Sequence, residues 1–288
     1  MTHFLQVPMT GLGLRGGYRG DEWLKRRLRI FHEYVLMAIT NREVDKVLWF
    51  CWRPEEKENP IVKEFQQQLS KVYGLKVTHT FTGILFYDDK YDEPEALERL
   101  KGACEAVPEI EEEVRITLQP SDDCYINLND IQSVPVSKDF AILGYLKGYI
   151  MNYATKEIAE YNPITSPPFY TLVFKGLNKE KYYEKVKNLK SHEDVGLHPD
   201  FIPIQGRGFV VGVHGQNIST TFTHRFKGRT LEKDEAEQLM VDVGILHSRK
   251  LRFPVPWRLR LRNILNLVPG NGIIKELYQS LPAKYKKL

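Results

Sequence analysis

The stretch Val114-Arg115-Ile116-Thr117-Leu118-Gln119-Pro120-Ser121-Asp122-Asp123 decides how this chain reads. Its first five residues have the composition of a strand inside a sheet. Two adjacent carboxylates follow almost at once. Acids just past a strand end are well placed for chemistry, because α/β sheets collect ligands at the carboxyl edges of their strands. The pair taken alone describes a solvated Asp-Asp turn just as well. The surrounding pattern therefore carries the decision.

Toward the N-terminus, His3–Met9 is short and apolar and runs into Gly11, Gly13, Gly16 and Gly17, a first strand entering a glycine-rich loop. Asp21 can cap the helix that follows. There Leu24, Leu28, Phe31, Val35 and Ile39 recur at helical spacing, with Trp23 beside the first of them. Val47–Trp52 is a continuous apolar run of the kind buried in parallel sheets. Pro60 opens a second helix with Ile61, Phe65, Leu69 and Val72 on one face, and Gly74 closes it. Leu75–Thr82 is strand-like and Pro94–Val107 helical. Strand and helix thus alternate as far as Val114–Leu118. That order predicts a Rossmann-like α/β fold, a mostly parallel, doubly wound sheet flanked by helices. The glycine loop and the Asp pair would share its carboxyl edge.

Beyond the acids, Ser137–Tyr149 reads as a helix. Glu157–Asn162 and Phe169–Phe174 read as strands separated by the turn Ser166-Pro167-Pro168. Asn178–Leu189 and Leu231–Val243 read as helices, and Arg207–His214 as β-rich. Residues 1–246 make one domain and 247–288 an appended extension. The charge divides at the same place. The extension holds ten Lys or Arg against the single acid Glu276, while the rest holds 31 basic and 36 acidic residues.

Within 251–268, Phe253, Trp257, Leu259, Leu261, Ile264, Leu265 and Leu267 are interleaved with Arg252, Arg258, Arg260 and Arg262. This describes a basic amphipathic helix for an anionic membrane surface, or equally a C-terminal helix docked on the body. Nucleic acid is not an expected partner, because the basic charge is confined to the tail and no recognition motif accompanies it. The scattered Cys51, Cys104 and Cys124 read as reduced thiols. With no secretory signal and no apolar run near the roughly 18 residues of a membrane span, the expectation is a cytoplasmic protein, peripheral on the inner face of a membrane.

Asp122 and Asp123 form a hard oxygen site that suits Mn²⁺ or Mg²⁺ together with phosphate oxygens. In Val211-Gly212-Val213-His214-Gly215-Gln216-Asn217-Ile218-Ser219 a strand delivers one imidazole to a glycine-flanked polar loop. Such an imidazole is a metal ligand or a structural hydrogen-bonding group. Glu193 and Asp194 are either a general base or the first turn of a helix capped by Ser191. Arg15 and Arg19 in the glycine loop have the chemistry to reach phosphate, whereas Arg26 and Arg27 fit the polar face of an amphipathic helix.

Three motifs in order carry a resemblance. Trp23-Leu24-x-x-Arg27-x-x-x-Phe31, then Thr117-Leu118-x-x-Ser121-Asp122-Asp123, then Val213-His214-Gly215-Gln216-Asn217-Ile218-Ser219 resemble the rhamnosyltransferase family of GT-A-like glycosyltransferases over roughly residues 3–230. Pro120 stands where that family's acidic motif commonly carries its first Asp. The resemblance implies a GT-A-like fold, a nucleotide-sugar donor, a glycan or glycolipid acceptor and a divalent cation. It implies Asp123 and His214 as metal ligands and Asp122 near the donor sugar. Arg15, Arg27, Ser121, Gly215 and Asn217 would line the nucleotide-sugar site. A non-catalytic carbohydrate-binding protein on the same fold and a sugar nucleotidyltransferase are the rival readings.

Overall fold

The computed structural model describes residues 1–9, 20–40, 46–70, 76–81, 94–126, 128–163, 165–189, 192–215, 217, 222 and 226–253. The side chains of Glu95, Ala96, Arg99, His192, Glu193 and Asp194 also lie outside the described set. In chain order the first half runs β1 (Thr2–Pro8), α1 (Asp21–Ile30), a π-helical stretch Phe31–Leu36, α2 (Met37–Thr40), β2 (Val47–Cys51), α3 (Pro60–Leu69), β3 (Lys76–Thr80), α4 (Pro94–Cys104) and β4 (Ile110–Leu118). The second half continues β5 (Cys124–Tyr125), α5 (Leu128–Ser133), β6 (Phe140–Tyr145), β7 (Gly148–Asn152), β8 (Ile158–Tyr161), β9 (Thr171–Leu177), α6 (Lys179–Val186), β10 (Phe201–Ile204), β11 (Phe209–Val213), β12 (Lys227–Thr230) and α7 (Lys233–Val243).

The strands form two sheets. The larger has seven strands in the order β10-β6-β9-β4-β1-β2-β3. Its β1 pairs in parallel with both β2 and β4, and β2 pairs in parallel with β3. Strands β6 and β10 are parallel to each other, while β9 runs antiparallel between β4 and β6. The expected α/β class with a mostly parallel sheet is therefore present, with one reversed strand.

Alternation along the strands separates two cores. Leu5 and Val7 of β1 and Leu48 and Phe50 of β2 join α1 and α3, which supply Leu24, Leu28, Val62 and Phe65. The residues between them, Phe4, Trp49 and Cys51, face the opposite way with Leu100 of α4 and Tyr182 of α6. Helices thus cover both faces of the sheet, as continuous apolar strands require.

The second sheet, β12-β8-β7-β11-β5, is absent from the sequence reading. Two of its strands pair at long range: β11 lies parallel to β7 and antiparallel to β5. The helix expected over Ser137–Tyr149 is instead β6 followed, after a short link, by the start of β7. All six residues of β6 are buried, so no alternation marks the strand, and a short apolar run of this kind has no readable period. Asp21 is the first residue of α1 and not its cap; Gly20 holds the N-cap position. The expected helix and strand at 178–189 and 207–214 are α6, capped by the Asn178 side chain, and β11.

Residues just past the expected boundary at 246 also touch the body. Leu251 is buried in the core and its N–H bonds to the carbonyl of Tyr153 at 3.1 Å. Tyr34 Oη donates to the carbonyl of Arg249, and Lys156 Nζ donates to Tyr34 Oη and Ser248 Oγ, both at 2.6 Å. Residues as far as Phe253 are packed on the body. Residues 254–268 of the expected amphipathic segment lie outside the described residues. Among the described residues no helix is long and apolar enough to cross a membrane.

Candidate functional site

The acidic pair lies on the link between the two sheets. β4 ends at Leu118 in the large sheet, and β5 begins at Cys124 in the small one. Gln119 fixes the turn between them. Its N–H bonds to the carbonyl of Gln6 at 2.8 Å, and its Nε2 donates to the carbonyl of Asp123 at 2.7 Å.

Strand β11 then closes on this link. Gly212 sits where a Cβ would lie 2.2 Å from the Asp122 carbonyl oxygen and 2.4 Å from Cζ of Tyr153. Only a glycine permits that approach. It lets the Gly212 N–H reach Asp123 Oδ1 at 2.7 Å. Tyr153 Oη donates to the Asp122 carbonyl at 2.8 Å, and the Tyr153 ring stacks on Tyr34 with centroids 3.6 Å apart.

Three segments meet at one oxygen. Oδ2 of Asp122 lies 2.5 Å from NH1 of Arg27, 3.1 Å from Nε2 of His214 and 3.4 Å from Nδ2 of Asn217. Asn217 also braces the His214 loop, since its Oδ1 accepts from the His214 N–H and its Nδ2 donates to the Gly212 carbonyl. Gly215 makes the turn after His214 at φ 84, in the left-handed region. Phe253 meets the His214 ring edge-on at 6.4 Å, and Arg26 lies 5.9 Å from the Phe253 centroid.

Arg27 departs from the polar face expected for it. Its spacing of four from Trp23 and three from Leu24 puts it on the buried stripe of α1, and it is 3% exposed. Its guanidinium lies 5.4 Å from the centroid of Trp23.

The two carboxylates have opposite protonation behaviour. Burial pushes the Asp122 carboxyl up, but the charge of Arg27 and the bond from His214 outweigh it and hold the group well below the usual carboxylate range. Burial also pushes Asp123 up. The neighbouring Asp122 charge adds to that, and the Gly212 N–H offsets only part of it. Burial lowers His214 below the ordinary histidine value against the pull of Asp122. The cluster thus sets Asp122, whose charged form is favoured, beside a buried Asp123 whose carboxyl is pushed upward, with His214 Nε2 directed at Asp122.

The expected Mn²⁺ or Mg²⁺ sets a demand on this donor set. A hard cation needs several unprotonated oxygens turned toward it. Asp122 Oδ2 already faces Arg27, His214 and Asn217. Asp123 is 8% exposed and spends Oδ1 on the Gly212 N–H. His214 directs Nε2 to Asp122. These residues, so arranged, do not fit a resident divalent cation.

Of the residues expected from sequence, Arg27, Ser121, Asp122, Asp123, His214, Gly215 and Asn217 come together, all but Asp122 buried. Arg15 lies outside the described residues. Glu193 and Asp194 fall in the 3₁₀ turn His192–Leu197, with their side chains outside the described set. Tyr153, Tyr34, Gln119 and Phe253 also shape the site, and sequence reasoning missed them. Tyr153 carries no local motif; its role comes from lying beside Gly212 in space. No protein-family model matches the chain, and no curated protein matches it.

Proposed function

We propose that the chain is a glycosyltransferase that moves a sugar from a nucleotide-sugar donor to a glycan or glycolipid acceptor. One observation carries the reading. An ionised carboxylate at the carboxyl edge of a mostly parallel sheet is oriented by an arginine from α1 and by a histidine and an asparagine from the loop after β11. Such a carboxylate, whose side chain keeps 14% exposure, is suited to accept hydrogen bonds from sugar hydroxyls. Fixed donors and acceptors of this kind position a donor sugar without reorganising during reaction.

In the transfer, the bond between the anomeric carbon and the diphosphate oxygen breaks. An acceptor oxygen bonds to that carbon, and its proton passes to a base. Asp122 is a poor base because its carboxyl is held so low, and Glu193 or Asp194 is assigned that role here. The GT-A-like assignment belongs to the same proposal, supported by the β-α order and the acidic pair after β4. The basic segment 254–268, beyond the residues packed on the body, is proposed to hold the enzyme at an anionic membrane surface bearing the acceptor.

The test is a thermal-shift screen with UDP-, dTDP- and GDP-linked hexoses, followed by product analysis. A donor at a hundred times its Kd is expected to stabilise the native state by about 2.7 kcal/mol. Slow release of the nucleoside diphosphate should accompany it. Release of pyrophosphate would identify a nucleotidyltransferase instead. Carbohydrate binding without turnover of any donor would identify a non-catalytic binder. Absence of any nucleotide-sugar shift would refute the glycosyltransferase reading.

A further inference from the structure

The buried guanidinium of Arg27 is only partly used. An arginine side chain carries five N–H donors in a fixed fork. NH1 lies 2.5 Å from Asp122 Oδ2 in a close ion pair. Nε is buried and has no acceptor among the described residues. On the same stripe of α1, the indole Nε1 of Trp23 is also buried with no acceptor among the described residues, and Trp23 is only 9% exposed. Buried donors left unpaired are costly, and native proteins rarely keep several together without a ligand or a mechanism that uses them.

Resting on the glycosyltransferase reading, we infer that Arg27 and Trp23 form an anion subsite for the diphosphate group of the donor, with Arg27 supplying the positive charge that a divalent cation would otherwise bring. The geometry permits this without stranding the carboxylate. Asp122 keeps His214 Nε2 at 3.1 Å and Asn217 Nδ2 at 3.4 Å when the free edge of the guanidinium turns to phosphate. The planar fork of arginine matches two phosphate oxygens at once. Arg26 lies one residue away, with its guanidinium against Phe253, which itself abuts His214. The charge needed to stabilise a departing diphosphate is thus built into α1.

The experiment is isothermal titration of UDP, dTDP, GDP and inorganic pyrophosphate into the full chain, in EDTA and again in excess Mn²⁺. We expect a nucleoside diphosphate to bind in EDTA, with Mn²⁺ changing its Kd by less than about two-fold. R27K, which keeps the charge but loses the fork, should weaken binding by about ten-fold or more, the loss of charge-assisted hydrogen bonds. W23F, which removes the indole donor and shortens the ring against Arg27, should weaken it by about three-fold. The wild-type comparison of EDTA with Mn²⁺ decides the matter even if R27K fails to fold. Nucleoside diphosphate binding that requires Mn²⁺ would overturn the inference and leave the glycosyltransferase reading standing. Pyrophosphate binding that depends on Arg27, with no nucleoside diphosphate bound, would uphold the anion subsite and overturn the nucleotide-sugar reading. Binding of neither ligand in either condition would overturn both.

Discussion

Gly212→Ala is the smallest change that should damage the whole candidate site. The added methyl would lie 2.2 Å from the Asp122 carbonyl oxygen, 2.4 Å from Tyr153 Cζ and 2.5 Å from Tyr153 Oη. Ordinary contact between such atoms is nearer 3.5 Å, so the loop or the ring must move by about 1 Å. Neither is a flexible side-chain end. The Asp122 carbonyl is backbone, and the Tyr153 ring is fixed by its stack on Tyr34 and by its bond to that same carbonyl. Overpacking of this kind costs about 1–3 kcal/mol. Loss of the Tyr153–Asp122 bond adds about 1 kcal/mol. We therefore expect a destabilisation of about 2–4 kcal/mol. At a slope of about 3 kcal/mol per molar, urea denaturation followed by tryptophan fluorescence should show a midpoint lower by about 1 M. An unchanged slope with a midpoint drop below about 0.2 M would refute the claim that β11 is clamped against the Asp122 carbonyl.

The other predictions concern charge and boundaries. Asp122→Asn should destabilise the fold by about 3–5 kcal/mol, because it leaves the buried Arg27 without its counter-charge; a urea-derived loss below about 1 kcal/mol would show that the pair is not buried as described. His3 is held at about 3, by burial first and then by the charges of Arg115 and Lys46. It is neutral in the fold, with Nδ1 accepting from Gln132 and Nε2 donating to Thr117. Between pH 6.5 and 3 the unfolded chain binds the extra proton, so His3 makes stability fall as pH falls, by about 2 kcal/mol from pH 6.5 to 5. His3→Gln should flatten that slope, and an NMR titration placing the wild-type His3 imidazole above pH 5 would contradict it. Deleting residues 254–288 should preserve the melting transition but abolish co-sedimentation with phosphatidylserine vesicles. Deletion from 247 should also destabilise the body, since it removes buried Leu251 and the Ser248 and Arg249 contacts to Lys156 and Tyr34. Equal vesicle binding by the shorter protein, or equal melting of the two truncations, would refute the respective claim.

Much of the larger sheet was legible because its cause is local. Val47–Trp52 and Val114–Leu118 are apolar runs too continuous for a solvated surface, and Pro60 and Asn178 mark helix starts whatever lies nearby. The acidic pair could be placed at a strand end from its spacing alone. β6 could not be read, because a six-residue strand buried on both faces has no period to detect. The second sheet escaped for a related reason: β5 has two residues, and its pairing with β11 is a contact across more than eighty positions.

The chemistry of the site divides in the same way. The sequence by itself supplied the residue types: two carboxylates, a glycine-flanked histidine, an asparagine and an arginine four residues from a tryptophan. It contained no information that separates Asp122 from Asp123, which differ by one position and not in composition. Tertiary structure made the two unlike. It set Arg27, His214 and Asn217 against Asp122 and left Asp123 buried beside that charge with a backbone N–H. Protonation follows from the distances between charges and from access to water, and those exist only once α1, the β4–β5 link and β11 have met.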